Sequence, residues 1–308
     1  MNCLVTGGLG FIGSHLVRRL RELGDSVRII DNAWARDEQN ADLGWRTGEA
    51  ALRAEFQNPR ASARPDWVFH LAAVSRTTHA LAAPERCVRT NVLGSLQVLE
   101  AARCAGENPR VVLASSNIVY GSPNPYKASK AAMEDLMSSY NACCGLNCIA
   151  LRYSNTYGSG MRWEDPICLA SLRRSAAEKG YVELTGDGEQ SRDWTHVSDI
   201  VEGTIAAAQS NAKGVIDLTS EQHRSMNHMA AFFAVPVHYV PERLGDTDVI
   251  CQRGRLAREI LGWEAKIRVE DGIKDVLKDC LEESKRAVGT RFCNEEFGAN
   301  TVVQGVAL

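Results

Sequence analysis

Two residues in the stretch PYKASK, Tyr126 and Lys130, stand four apart and carry the side chains for moving a proton. On a helix they would lie one turn apart on a shared face. A phenol with its ordinary pKa of about 10 is a poor base at neutral pH. An ammonium one turn away would favour the phenolate and lower that pKa. Tyr126 could then take a hydroxyl proton while hydride leaves the carbon. Tyrosine and lysine at this spacing also occur on ordinary helix surfaces, so the pair alone leaves both readings open.

A second feature stands at the start of the chain. The segment TGGLGFIG carries Gly7, Gly10 and Gly13 in a GxxGxxG spacing between a short apolar run and a helical pattern. Glycines so placed allow a tight turn, close approach of backbone to a pyrophosphate, and close packing of helix on strand. The helix N-terminus adds unpaired N–H groups and partial positive charge. Asp31, in RIIDN, falls at the end of the next apolar run. Its carboxylate suits the two adenosine ribose hydroxyls and repels a 2′-phosphate, which favours NAD over NADP.

These groups need a scaffold, and the chain pattern predicts one. Strands are expected at Asn2 to Val5, Ser26 to Ile30, Asp66 to His70, Arg110 to Ala114, Asn147 to Leu151 and Val215 to Leu218. Helices are expected from Phe11 to Leu23, Pro84 to Arg103, Pro125 to Cys144, Ile167 to Lys179, His196 to Gln209 and Glu270 to Lys285. In the second of these, Val88, Val92, Leu96 and Leu99 form the expected apolar stripe. TGDGEQSRDW reads as a turn. Strands alternating with helices imply an α/β fold, a doubly wound parallel sheet covered on both faces, with a smaller C-terminal α/β unit.

Composition narrows the partners. The chain has 308 residues and a formal net charge of -3, which points to neither nucleic acid nor an anionic membrane surface. No apolar run has the length of a membrane span. MNCLVTGG does not read as a signal peptide, so a cytoplasmic location is expected. The ten cysteines show no Cys-x-x-Cys pair or repeated Cys/His spacing, so no metal is expected.

With the loop and the Tyr-x-x-x-Lys pair in one chain, the sequence resembles the extended short-chain dehydrogenase/reductase family, in its NAD-dependent nucleotide-sugar epimerase/dehydratase branch. The likeness runs from Met1 to about Lys285 through TGGLGFIG, HLAA, NVLG, SSNIVYG, PYKASK, LRYSNTYG, GDGEQSRDWTHVSDI and ERLGD. The resemblance implies Ser116, Tyr126 and Lys130 as catalytic residues. It implies cofactor contacts from Gly7, Gly10, Phe11, Ile12, Gly13, Asp31, Asn32, Glu49, Leu71, Ala72, Ala73, Asn91, Tyr126 and Lys130. Substrate contacts are implied for Ser116, Asn117, Tyr126, Asn155, Arg192 and Arg243, the two arginines suiting a diphosphate. A salt bridge from Arg192 to Asp193 is the plainer alternative.

The resemblance also implies a cofactor unit of residues 1–157 plus 190–220, a sugar-nucleotide unit of 158–189 plus 221–285, and a tail of 286–308. A homodimer would form through the Pro84 and Pro125 helices.

Departures from the family pattern choose among its reactions. The dehydratases carry Asp-Glu after the catalytic Ser or Thr, and the sugar-acid decarboxylases usually place Glu there. Here the positions are Asn117 and Ile118. The expected reaction is therefore UDP-hexose C4 epimerisation through a transient 4-keto sugar. Alternatives are a 4,6-dehydratase, a C2 epimerase, a 4-keto-sugar reductase and a non-enzymatic NAD-binding module. The segment before Tyr126 is short, only SPNP, and CQRGR adds Arg253 and Arg255, most simply a solvated face. Ile250 falls near a pocket-size position and decides little.

Overall fold

The structure, a computed structural model, describes residues 1–32, 49–57, 64–161, 168–242 and 254–279. The expectations for Arg243, Ile250, Arg253 and the tail lie outside the described residues, as does the Glu49 side chain.

Six strands form a parallel sheet in the order β2-β1-β3-β4-β5-β9, all neighbours in parallel register. They are β1 (Asn2–Thr6), β2 (Ser26–Ile30), β3 (Trp67–His70), β4 (Arg110–Ser116), β5 (Asn147–Tyr153) and β9 (Gly214–Leu218). The strands are apolar on both faces because helices cover both. Side chains alternate accordingly: Cys3, Val5, Val112, Ile149 and Leu151 enter one core, and Leu4, Val111, Leu113, Cys148 and Ala150 the other. The first core is roofed by α1 (Phe11–Glu22), α8 (Val197–Gln209) and α10 (Gly254–Leu261), the second by α2 (Glu49–Phe56), α5 (Gly94–Cys104) and α6 (Pro125–Cys144). The strand order reverses around β1, and the crevice at such a switch point is where α/β sheets bind ligands.

Two small sheets complete the fold. One joins β6 (Asn155–Tyr157), β8 (Ser191–His196) and β10 (His223–Ser225); the other pairs β7 (Val182–Thr185) with β11 (Val237–Val240). Around them pack α7 (Cys168–Lys179), α9 (Met226–Ala231) and a helical segment over 269–279, enclosing a third core that includes Tyr157, Leu169, Leu184, Trp194, Met229 and Val269. Among the described residues, no helix is long and apolar enough to cross a membrane.

Two local expectations are corrected. The end of TGDGEQSRDW is strand β8, because Trp194 anchors it in the third core. The helix from Pro84 is not one uniform element: α4 (Pro84–Val88) passes through a π turn, Arg89–Leu93, before α5. Its buried residues are Cys87, Asn91, Ser95, Val98, Leu99 and Ala102, whereas Val88 is 47% exposed. Three residues of the apolar stripe, Val88, Val92 and Leu96, thus stand one position off the face that packs, while the fourth, Leu99, lies on it. That face instead carries polar groups with partners of their own.

Candidate active site

Helix α6 presents the Tyr-Lys pair, and its sequence explains why it starts and stops where it does. Asn124 caps it, accepting from Lys127 N at 2.9 Å, with Pro125 in the first turn. Gly145 closes it at φ 69°, the left-handed conformation common at this position. Tyr126, Ser129, Lys130, Met133, Glu134 and Met137 form its buried face, a stripe at helical spacing. Tyr126 and Lys130 therefore share the face turned toward the sheet, with Lys130 Nζ 5.9 Å from the Tyr126 ring centroid.

Ser116 arrives from the end of β4. Its hydroxyl accepts from Ile118 N at 3.3 Å, capping the short 3-10 helix Asn117–Tyr120, and is near enough to the Tyr126 phenol to favour its anion. The three expected catalytic side chains are thus brought together by two elements. Burial does not lower the phenol's pKa but raises it, with the Ser116 hydroxyl and the Arg76 charge pulling the other way. Lys130, also enclosed, is lowered to about 8 by the same loss of solvent, against Cys87 and Glu134. The expected depression of Tyr126 by Lys130 is therefore not found in the protein alone: desolvation of the phenol dominates, and the groups opposing it are Ser116 and Arg76.

Beneath this pair runs a buried polar chain. Thr6 Oγ1 meets His70 Nδ1 at 2.7 Å, His70 Nε2 meets Ser95 Oγ at 3.0 Å, and Ser95 donates to the Asn91 carbonyl at 2.5 Å. Because the Ser95 proton goes to Asn91, His70 Nε2 must donate and Nδ1 must accept from Thr6, which sets the tautomer. His70 is held neutral, its pKa lowered to about 3 by burial and then by the Lys130 charge. Asn91, in the π turn, accepts from Val74 N at 2.7 Å and donates to Val74 O at 3.1 Å and Ser129 Oγ at 2.9 Å. Ser129 in turn donates to the Tyr126 carbonyl at 2.7 Å. Asn91, expected to touch a cofactor, here braces the loop after β3 and the start of α6.

The glycine loop has the predicted form. Gly7 has φ +72°, and a Cβ there would stand 2.6 Å from Ala72 N; a Cβ on Gly13 would stand 2.1 Å from Gly7 O. Gly10 is the extended N-cap of α1, while Phe11 and Ile12 open the helix and pack into the third and first cores. Leu71 N donates to Thr6 O at 3.0 Å, and Ala72 N to Thr6 Oγ1 at 3.4 Å, so the HLAA segment, with Ala73, lies against the loop. Asp31, 8% exposed, accepts from Leu9 N at 2.9 Å at Oδ2, and Asn32 beside it is exposed. Asp31 thus has a structural duty within the loop that its position in the sequence did not announce. The two-glycine cradle with a carboxylate beyond it fits a dinucleotide.

On the other side, Asn155 of β6 stands in register with Trp194 of β8, two positions from Arg192. Alternation then puts Asn155 and Arg192 on one face of the small sheet. Asp193 points the other way, accepting from Thr195 Oγ1 at 3.1 Å and Ser220 N at 3.2 Å; Arg192 Nη1 donates to Ser191 O at 2.9 Å. Asn117 is 7% exposed, and its Nδ2 has no hydrogen-bond partner among the described residues. Ile118 packs against the cluster of Ala80, Cys87 and Tyr126. Arg255 is 83% exposed and pairs with Glu259 at 2.5 Å, a solvated face.

Residues 3–218 match the model of the NAD dependent epimerase/dehydratase family. The chain belongs to that family. Over 91% of the chain and 69% of the relative, it is 28% identical to UDP-glucuronic acid decarboxylase 1 of Arabidopsis thaliana. It is 29% identical to a UDP-glucose 4-epimerase of Mycolicibacterium smegmatis, covering 89% of this chain and 96% of the other. The fold superposes on the Thermus thermophilus UDP-glucose 4-epimerase in complex with NAD with a TM-score of 0.80, at 27% identity over 91% and 99% of the two chains. The family's cofactor is NAD, in keeping with the glycine cradle and Asp31.

Motif reading missed parts of this epimerase/dehydratase site. Thr6, Ser95 and Ser129 complete the chain through His70, and each is an unremarkable hydroxyl in sequence. Glu134 follows Lys130 by the same interval that separates Lys130 from Tyr126, a signal that was legible.

Proposed function

We propose that the protein is an NAD-dependent UDP-sugar 4-epimerase. The observation that carries this reading is the pair following Ser116. Asn117 offers an amide and Ile118 an apolar side chain packed beside Tyr126, so neither can remove a carbon-bound proton or protonate a leaving hydroxyl. Two buried carboxylates in the neighbourhood, Glu134 and Asp217, are engaged by Arg152 and Tyr120. What remains is chemistry needing one proton-transfer group.

In this reading Gly7, Gly10 and Gly13 seat the pyrophosphate and Asp31 the adenosine ribose. NAD supplies the hydride acceptor and later donor. Tyr126 takes the sugar O4 proton and gives it back, Ser116 orients that oxygen, and Lys130, with the positive nicotinamide ring of bound NAD, would offset the burial that raises the phenol in the protein alone. Asn155, Arg192 and Arg243 hold the diphosphate, leaving the 4-keto sugar free to turn over before reduction on its other face.

The same reading divides the chain into the cofactor and sugar units given by the motifs, in keeping with β9 and α8 joining the large sheet and its core. A homodimer and a cytoplasmic location go with it. Val88 and Leu93, 47% and 45% exposed on the Pro84 helix, supply apolar surface for a second copy.

The test is incubation with UDP-glucose, UDP-N-acetylglucosamine and UDP-glucuronate, read by mass spectrometry and proton NMR. Unchanged mass with an inverted C4 coupling pattern is expected. Loss of water would establish a dehydratase and loss of carbon dioxide a decarboxylase, and either would sink the reading.

A further inference from the structure

The buried stripe of α6 continues past Lys130 to a carboxylate. Glu134 is 7% exposed and turned onto the sheet. Arg152 of β5 grips it as a fork, Nε to Oε1 at 2.9 Å and Nη2 to Oε2 at 2.6 Å, while Ser115 Oγ donates to Oε1 at 2.5 Å. The third guanidinium nitrogen, Nη1, donates to the Tyr120 hydroxyl at 2.6 Å, and that hydroxyl donates to Asp217 at 3.0 and 2.9 Å. Strand register lines up Ser115, Arg152 and Asp217 in one row across β4, β5 and β9.

A buried ion pair is a poor source of net stability, because desolvating two charges offsets most of their attraction. Its position suggests another use. Ser115 immediately precedes Ser116, Glu134 follows Lys130 by one helical turn, and Tyr120 ends the 3-10 helix that begins with Asn117. Three members of the network, Ser115, Glu134 and Tyr120, therefore stand close in the chain to residues of the site, and Asp217 anchors it to β9.

We propose that Glu134 and Arg152 are positioning residues for the reaction: their fork clamps α6 to β4 and β5 in the register that presents Tyr126 and Lys130 beside Ser116, and Glu134 supplies Lys130 with its counter-charge. The proposal rests on the assignment of Tyr126 and Lys130 to proton transfer. The groups around Lys130 are few. Ala114 O of β4 accepts from Nζ at 2.6 Å, the Tyr126 ring lies on the same helix, neutral His70 comes from β3 and Cys87 from α4. Of these neighbours, Cys87 and Glu134 favour the ammonium against its burial.

The opposite charges of the pair make the test decisive. Lysine 13Cε resonances of the protein, with Lys130 assigned from Lys130→Arg, are titrated by NMR through the alkaline range. In Glu134→Gln the Lys130 midpoint should fall by about two units, the scale of one carboxylate a helical turn away at an effective dielectric near 20. In Arg152→Gln the unshielded Glu134 should raise it. The alkaline limb of kcat should move in the same sense in each variant.

Simple loosening of the helix would shift both variants the same way. Shifts of one sign, no shift, or a kcat limb that stays put while Lys130 moves would each overturn the proposal. Should Glu134→Gln not fold, Arg152→Gln decides alone, and an unmoved Lys130 there overturns it. The titration needs neither cofactor nor sugar nucleotide, so it stands apart from any failure of the epimerase reading.

Discussion

Lys130 Nζ donates to the Ala114 carbonyl at 2.6 Å, so the helix carrying Tyr126 is tied by its own lysine to the strand that delivers Ser116. The contact explains how an ammonium is tolerated at 3% exposure: the carbonyl replaces water on one proton. It also keeps the lysine close to, but not bonded with, the phenol it serves.

Tyr126→Phe keeps the ring and loses only the hydroxyl. The fold should survive, with an unchanged circular dichroism spectrum. Turnover should fall by about a hundred- to ten-thousand-fold, the usual worth of a general base, while KM moves little. Retention of more than a tenth of the activity would remove Tyr126 from the proposed mechanism.

Gly7→Ala and Gly13→Ala test the cradle. Each places a Cβ against backbone, at 2.6 Å from Ala72 N and 2.1 Å from Gly7 O. Backbone cannot swing aside as a flexible side chain can, and at Gly7 the positive φ adds strain. Each variant should lose about 2 kcal/mol or more of stability and most of its NAD affinity. Thermal melting with and without NAD, with calorimetric titration, reads both.

Asp31→Ala should not convert the cofactor preference cleanly. Removing the carboxylate relieves repulsion of a 2′-phosphate, yet it also strips Leu9 N of its acceptor at 2.9 Å. A hydrogen bond to a charged acceptor is worth about 1.5–3 kcal/mol. The ratio of NADP to NAD affinity should rise while both weaken, as calorimetry would show; undiminished binding of either dinucleotide would refute the bracing role.

His70 should make the protein acid-sensitive. Its folded pKa, about 3, lies below the ordinary value of 6.5, so the unfolded chain binds the extra proton as pH falls. Stability is fully present above 6.5 and is lost progressively between 6.5 and 3. By pH 5 the loss from this one group is about 2 kcal/mol. Urea unfolding of wild type and His70→Asn at neutral pH and at pH ~5 should show the variant less stable at neutrality but with a flatter acid slope.

Much of the architecture is legible because it depends on local period and punctuation. Pro125 and Gly145 bound α6, and the i,i+4 interval alone puts Tyr126 and Lys130 on one face. GxxGxxG between strand and helix foretells the loop that the structure contains. The Pro84 helix departs from its pattern in detail, since a π turn lies between α4 and α5 and the face that packs holds Asn91 and Ser95 rather than Val92 and Leu96. A hydrophobicity pattern cannot reveal a face buried through hydrogen bonds. Strand β8 is hidden for a related reason: SRDWTH has no clean alternation, and only the core around Trp194 makes it a strand.

The sequence by itself determined most of the elements, the dinucleotide loop, the family resemblance and the placing of Tyr126 and Lys130, the pair proposed for proton transfer, on one helix face. The tertiary structure decided the electrostatics. Tyr126 is pushed up, Lys130 down and His70 kept neutral by how deeply α6, β3 and the π turn bury them together. It also brought Arg152, twenty-two residues after Lys130, onto Glu134. Spacing along a chain follows from the period of one element, whereas desolvation and charge pairing depend on which distant elements pack against it, and no local pattern contains that.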